Sequence, residues 1–218
     1  MGVLSKLLNQ CGKPTGRLGT FMVWTFNVHH SKLTDWGLKH VAIEKQYTIL
    51  DVGCGGGRTI HKLVGIATDG KVYGIDHSEE SVAASRRTNQ QLIEMGRAEI
   101  RHGSVSSLPF PDHMFDVVTA VETHVFWPDV VADMREVLRV LKPGGKLCII
   151  AEYYKGGKHD RRDQNIADWM KLPFLNVGEH ADLFSRAGYS AIEAFEEYDK
   201  GWICVMGKRP SCGSASRS

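Results

Sequence analysis

Ile49-Leu50-Asp51-Val52-Gly53-Cys54-Gly55-Gly56-Gly57-Arg58-Thr59 is the stretch that decides the fold. Tyr47 to Val52 is a short apolar run rich in β-formers. It stops at a glycine cluster, as a strand buried on both faces does. From Gly56 to about Gly65 the pattern continues as a helix. Gly53 and Gly55 permit positive φ, and without a Cβ they let a ligand touch the backbone. The helix start beyond them offers unpaired N–H groups suited to a carboxylate or phosphate. A dinucleotide turn, G-x-G-x-x-G counted from Gly53, needs its third glycine at position 58. That position is Arg58, so the fingerprint is broken. The string reads instead as D-x-G-x-G-x-G, with Asp51 in the strand and glycines at 53, 55 and 57.

Outward from this turn, strands and helices alternate. Lys71–Asp76 reads as a second strand. Asp76 stands at its carboxyl end, where a carboxylate can accept both hydroxyls of a ribose. Ser78 is a good N-cap, with Glu79 and Glu80 in the first turn, and the helix it opens can run to Gly96. Ala98–His102 and Phe115–Val121 read as strands three and four. Val130, Met134, Val137 and Leu141 then recur on one helix face, ended by Lys142-Pro143-Gly144-Gly145. Lys146–Ala151 is a fifth strand, and a helix follows around Gly178–Gly188. The runs 191–198 and 202–207 are separated by Asp199-Lys200-Gly201 and predict an antiparallel hairpin. The class is α/β, with a mostly parallel, doubly wound sheet closed by an antiparallel strand.

The chain has 218 residues, which favours one elaborated domain. Its 42% apolar and 24% charged residues are ordinary for a folded protein. A net charge of +2 is too small to imply a nucleic-acid or membrane partner. No apolar run reaches the length of a membrane span, and the first residues carry neither a secretory signal nor a myristoylation pattern. The five cysteines (11, 54, 148, 204 and 212) are odd in number, with no CxxC, which fits a reducing cytoplasm. Three segments result: a helical lid or cap over 1–46, a ligand-binding domain over 47–208, and a small, polar, disordered tail over 209–218.

Four pieces stand in one order: Leu50–Gly57; Tyr73-Gly74-Ile75-Asp76; Ser107–Asp112 before Phe115–Val118; and Arg139–Gly145. In these the chain resembles the class I S-adenosylmethionine-dependent methyltransferases over roughly residues 47–207. It looks closest to small-molecule enzymes of the ubiquinone/menaquinone-biosynthesis type. The resemblance implies a Rossmann-like seven-stranded sheet with the last strand antiparallel, and S-adenosylmethionine as cofactor with S-adenosylhomocysteine as product. It further implies that Asp51 and the backbone at Gly53, Cys54 and Gly55 line the methionine end. Asp76 then holds the ribose, and His77 packs beside the adenine. Ser104 stands where the family often has Asp for the adenine amino group, with the Val105 backbone able to serve beside it.

Methyl transfer is an in-line displacement at a carbon already activated by the sulfonium, so alignment and exclusion of water matter most. The residues after the fourth strand are Val121-Glu122-Thr123-His124-Val125-Phe126-Trp127. The Asn/Asp-Pro-Pro-aromatic motif of related nucleobase and amide methylases is absent from them. Glu122 is expected at the cofactor. His124 is the candidate general base, because a histidine pKa can lie near neutrality, with loop packing as the alternative. Trp127 and Tyr153 are candidate walls of the acceptor pocket. The aromatic stretch Phe21–His30 is similar to a Met-Asn-x-x-His segment of bacterial methyltransferases, and Trp36-Gly37-Leu38 follows. On that similarity Asn27 and His30 are expected to face the pocket from a lid. No histidine pairing or carboxylate cluster suggests a required metal.

The leading reading is methyl transfer to a small-molecule acceptor, with no nucleic-acid partner and no membrane span. The alternatives are an RNA or protein methyltransferase docking through Lys155, Lys158, His159, Arg161 and Arg162, a non-catalytic cofactor-binding regulator, and a nicotinamide dehydrogenase.

Overall fold

The computed structural model describes residues 31–211. The chain enters through α1 (Ser31–Leu38) and then alternates β1 (Thr48–Val52), α2 (Arg58–Ile66), β2 (Lys71–Asp76), α3 (Glu79–Thr88), α4 (Gln90–Glu94) and β3 (Ala98–His102). It continues through β4 (Phe115–Val121), α5 (Val130–Val140), β5 (Leu141–Glu152), α6 (Asp160–Met170), α7 (Val177–Ala187), β6 (Ser190–Glu197) and β7 (Trp202–Lys208).

The seven strands lie in the order β3-β2-β1-β4-β5-β7-β6. The first five run parallel, and β7 runs antiparallel to both β5 and β6. Alternation along the central strands sorts two cores, with a register irregularity in β4 between Phe115 and Val117. Leu50, Val118, Leu147, Ile149 and Val205 face one side, where α5 and α7 add Met134, Val137, Leu183 and Phe184. Ile49, Val117, Cys148, Ile150 and Cys204 face the other, where α1, α2 and α3 add Leu33, Leu63 and Val82. The result is a three-layer sandwich, with helices on both faces of the sheet. On the α1 side the Cys148 and Cys204 sulfurs lie 3.6 Å apart, unbonded and fully buried. Gly37 lets α1 sit down on β5, since a Cβ there would come within 2.5 Å of Ile150.

Four boundaries differ from the expected ones, each for a local reason. The helix expected from Ser78 to Gly96 starts as expected, with Ser78 Oγ accepting from Ser81 N. It breaks at Asn89, whose side chain donates to Gly57 O at 2.9 Å and Ser85 O at 3.0 Å and so ties the break to the glycine turn. Leu141, expected on a helix face, is the first residue of β5 and pairs with Phe115, because Pro143 forces the chain ahead of it to be extended. α6 carries only two buried residues, Asp163 and Ala167, so it has no apolar stripe to betray it in sequence. Arg209, assigned above to a disordered tail, is anchored. Its backbone pairs with Gly144 and Gly145, and its guanidinium donates to the carbonyls of Leu138, Arg139 and Leu141 at 2.7–2.9 Å.

Candidate active site

β1 and β4 are neighbours, although the chain first travels outward through β2 and β3 and then returns. The crevice at their carboxyl ends is therefore a topological switch point, where open α/β sheets bind ligands. A cleft of about 700 Å³ occupies it. Its walls are the segments that leave β1, β2, β3, β4 and β5, together with α1 and α6.

The floor is the glycine turn. Gly53, Gly55 and Gly57 have φ of 72°, 50° and 82°, the left-handed region that favours glycine. Gly53 N and Cys54 N both donate to Ile75 O, at 2.8 and 3.0 Å, and lash the turn to β2. Thr123 covers it from β4: a Cβ on Gly53 would lie 2.4 Å from Thr123 Cγ2. Gly55 is open, with nothing within 4 Å of where a Cβ would stand.

Asp76 is the polar centre of the nucleotide side. Its Oδ2 accepts from Gly55 N and its Oδ1 from Ser78 N, each at 2.9 Å. Two backbone donors thus fix the carboxylate, and each oxygen keeps a further lone pair for a ligand hydroxyl. His77 beside it is exposed and lines the cleft, as do Ser104 and Val105 after β3. Ser104 Oγ accepts from Ser106 N at 3.2 Å, so the hydroxyl also closes its own turn.

Asp51 departs from the place the resemblance gives it. Its side chain is 2% exposed and is not part of the cleft wall. Its Oδ1 accepts from Thr119 Oγ1 at 2.7 Å, so it supports the turn from beneath. Burial pushes its pKa up to about 7, the Thr119 bond opposes this, and the nearby Asp76 charge adds to it. Cys54 contributes backbone to the turn, while its thiol is buried near Ser85 and raised well above the usual cysteine value, mainly by burial.

On the other side of the turn, Glu122 and Tyr153 follow the adjacent strands β4 and β5, and both line the cleft. They hold φ of 58° and 63° without being glycine. Each such residue costs about 1–2 kcal/mol, and such strain concentrates at functional sites. One Glu122 carboxylate oxygen accepts from Glu152 N, which closes the corner between the two strand ends.

His124 is 3% exposed and lines the cleft. Burial, and then repulsion from His180, lower its pKa to about 3, so the near-neutral value expected from sequence is not what the site gives. The ring is neutral at physiological pH. Trp127 lines the mouth and packs on the core beneath it. Around it Val125, Phe126, Ile166, Met170 and Leu172 form an apolar wall. Asn27 and His30 lie outside the described residues. Among the described residues, no cluster of three or more histidine, cysteine or acidic side chains is placed to hold a metal.

Sequence reasoning missed Thr119, Thr123, Asn89, His180 and the cleft-facing residues of α6. The first four are single polar residues, Thr119 and His180 inside a strand and a helix and Asn89 and Thr123 at element ends. Only their partners in space reveal them.

Residues 50–149 match the methyltransferase domain family. A demethylmenaquinone methyltransferase of Listeria welshimeri is 33% identical over 144 residues, which is 66% of this chain and 57% of that protein. The chain therefore spans little more than half the length of such relatives. Among solved structures, a Haloferax volcanii methyltransferase in complex with the Trm112 activator superposes with a TM-score of 0.76 at 20% identity, over 87% of this chain and 94% of that one. Geranyl diphosphate C-methyltransferase from Streptomyces coelicolor, in complex with Mg2+, geranyl diphosphate and S-adenosylhomocysteine, superposes with a TM-score of 0.70 at 15% identity, over 91% and 86%. Both are likenesses of fold. Residues 50–149 carry a methyltransferase domain, and the chain is similar to class I S-adenosylmethionine-dependent methyltransferases in sequence over that stretch and in fold. The family's cofactor suits the donor set seen here: an open glycine turn, and a fixed carboxylate with spare lone pairs at the end of β2.

Proposed function

We propose that this protein methylates a small, largely apolar acceptor. The observation that carries the reading is the polarity gradient along the cleft. Asp76, His77 and Ser104 gather at the β2–β3 end, while Val125, Phe126, Ile166, Met170 and Leu172 gather beyond β4 and on α6. A nucleoside suits the first end and an apolar molecule the second. The names of the menaquinone and geranyl diphosphate enzymes that this chain resembles support an apolar acceptor.

S-adenosylmethionine, when bound, supplies a methyl group activated by a positive sulfur. The chain's own residues then have three tasks. Asp76 and the backbone of Gly53, Gly55 and Val105 hold the nucleoside and the amino-acid end. The corner of Glu122, Glu152 and Tyr153 places negative charge beside the cationic end of the cofactor. The apolar wall aligns the acceptor and excludes water, which brings the reacting atoms together without further chemistry from the protein. His124 is the candidate acceptor of a proton where the nucleophile carries one.

The basic residues of the alternative docking surface are partly neutralised: Lys158 pairs with Asp199 and Arg162 with Asp163, each at 2.8 Å. No helix among the described residues is long and apolar enough to cross a membrane.

Calorimetric titration with S-adenosylhomocysteine tests the reading. We expect binding by the wild type and at least about tenfold weaker binding by Asp76→Ala, as loss of a charge-assisted hydrogen-bond acceptor implies. A wild type that gives no heat and no thermal shift with this ligand would reject the proposal.

A further inference from the structure

A chain of hydrogen bonds runs from α7 to the cleft. His180 Nδ1 lies 2.9 Å from the carbonyl of Asn176. A carbonyl only accepts, so that nitrogen carries a proton and the neutral ring offers a lone pair at Nε2. His124 Nε2 lies 3.3 Å from His180 Nε2 and must supply the proton between them. His124 is therefore the Nε2–H tautomer. Its Nδ1 is left as a bare lone pair, buried and with no partner among the described residues. Burial lowers the pKa of both rings, which keeps the pair neutral and this proton order intact.

Such an atom calls for a donor, and the ring that bears it stands in the cleft wall. The apolar wall nearby disfavours an ammonium ion but admits a neutral hydroxyl. We propose that His180 is a positioning residue which locks His124 in the Nε2–H tautomer, so that His124 Nδ1 accepts the proton of a hydroxyl group on the apolar acceptor. This rests on the methyltransferase reading and adds to it the acceptor's functional group. In the transfer, the oxygen–methyl bond forms as the sulfur–methyl bond breaks, and that bond's electron pair stays on sulfur. The hydroxyl proton goes to His124 Nδ1, and the Nε2 proton of His124 passes to His180 Nε2. The positive charge leaves sulfur and ends on His180, where burial opposes it and the Asn176 carbonyl and the nearby Glu179 carboxylate offset part of that cost.

The test is nitrogen NMR of histidine-labelled protein saturated with S-adenosylhomocysteine, titrated with 1-naphthol and with 1-methoxynaphthalene as probes. In the wild type we expect His124 Nδ1 to give an unprotonated-type signal that moves with naphthol and stays still with the methoxy probe. His180→Phe should mix the two His124 tautomers and weaken naphthol binding by at least about tenfold, the loss of one buried hydrogen bond. His180→Gln, whose carbonyl can still accept from His124 Nε2, should restore both. The inference is overturned by a wild-type signal that puts the proton on Nδ1, by naphthol and the methoxy probe acting alike, or by a His180→Phe protein that keeps the tautomer. Wild-type protein that does not bind S-adenosylhomocysteine would instead overturn the functional reading, a result visible before either probe is added.

Discussion

Asp51→Asn should stabilise the protein at neutral and alkaline pH while removing a carboxylate from a deeply buried position. Asp51 is held at a pKa of about 7 against an ordinary value of 3.8. Below 3.8 the carboxyl is protonated in both the folded and unfolded states. Between 3.8 and about 7 only the folded state keeps the proton, so stability falls as pH rises through that window, and above it the loss is complete. A span of about three pH units at about 1.4 kcal/mol each bounds the loss at about 4 kcal/mol. Asparagine cannot ionise, and its amide oxygen can still accept the Thr119 hydroxyl. Urea midpoints of both proteins, measured from pH 4 to pH 8, give a difference curve. The variant's advantage should grow with pH and level off above about 7, reaching about 1–4 kcal/mol. His124 and His180 act with the opposite sign. Their folded values lie below the usual 6.5, so they add stability as pH rises toward it. They are the same in both proteins and cancel in the difference. A difference curve that is flat across the range, or one that falls with pH, refutes the argument.

Gly53→Ala places a side chain at φ 72° and within 2.4 Å of Thr123 Cγ2. It should cost about 2 kcal/mol or more in a chemical melt and weaken S-adenosylhomocysteine binding by calorimetry. Arg139 donates to Asp112, Glu136 and the carbonyls of Leu108 and Phe110 at 2.7–3.1 Å, tying the loop before β4 to α5. Arg139→Ala should lower the thermal midpoint by several degrees, at about 1–3 kcal/mol, and speed proteolysis within residues 103–114. Arg209→Ala uncovers three carbonyls at the α5–β5 junction, and a denaturant melt should show a loss of about 1–3 kcal/mol.

Most of the sheet was legible because β1, β2, β4, β5 and β7 are apolar runs bounded by glycine, proline or a charged turn. β2, β3 and β4 match their expected limits to the residue. The left-handed geometry of the turn was legible in the same way, since Gly53, Gly55 and Gly57 alternate and all three hold positive φ. Side-chain roles were less so. Asp51 sits in the right motif, but whether its carboxylate meets a ligand or a threonine depends on Thr119, a residue 68 positions away. The reactivity of His124 likewise depends on His180, 56 positions along the chain. α6 stayed hidden because a helix that buries little leaves no period in the sequence. Local pattern records burial, whereas these pairings are made only by the fold.

The buried thiols make this chain its own clock. Cys54 stands behind the glycine turn, and Cys148 with Cys204 lies beneath α1, so no reagent reaches them until the structure opens. With Cys11 and Cys212 replaced by serine, the order in which a colorimetric disulfide reagent consumes the remaining three reports which half of the molecule breathes first. A ligand seated on the glycine turn should slow the Cys54 reaction selectively and leave the other two at their own rate. The same three sulfurs would thus time the opening of the cofactor half and the hairpin half within one sample, without any label being introduced.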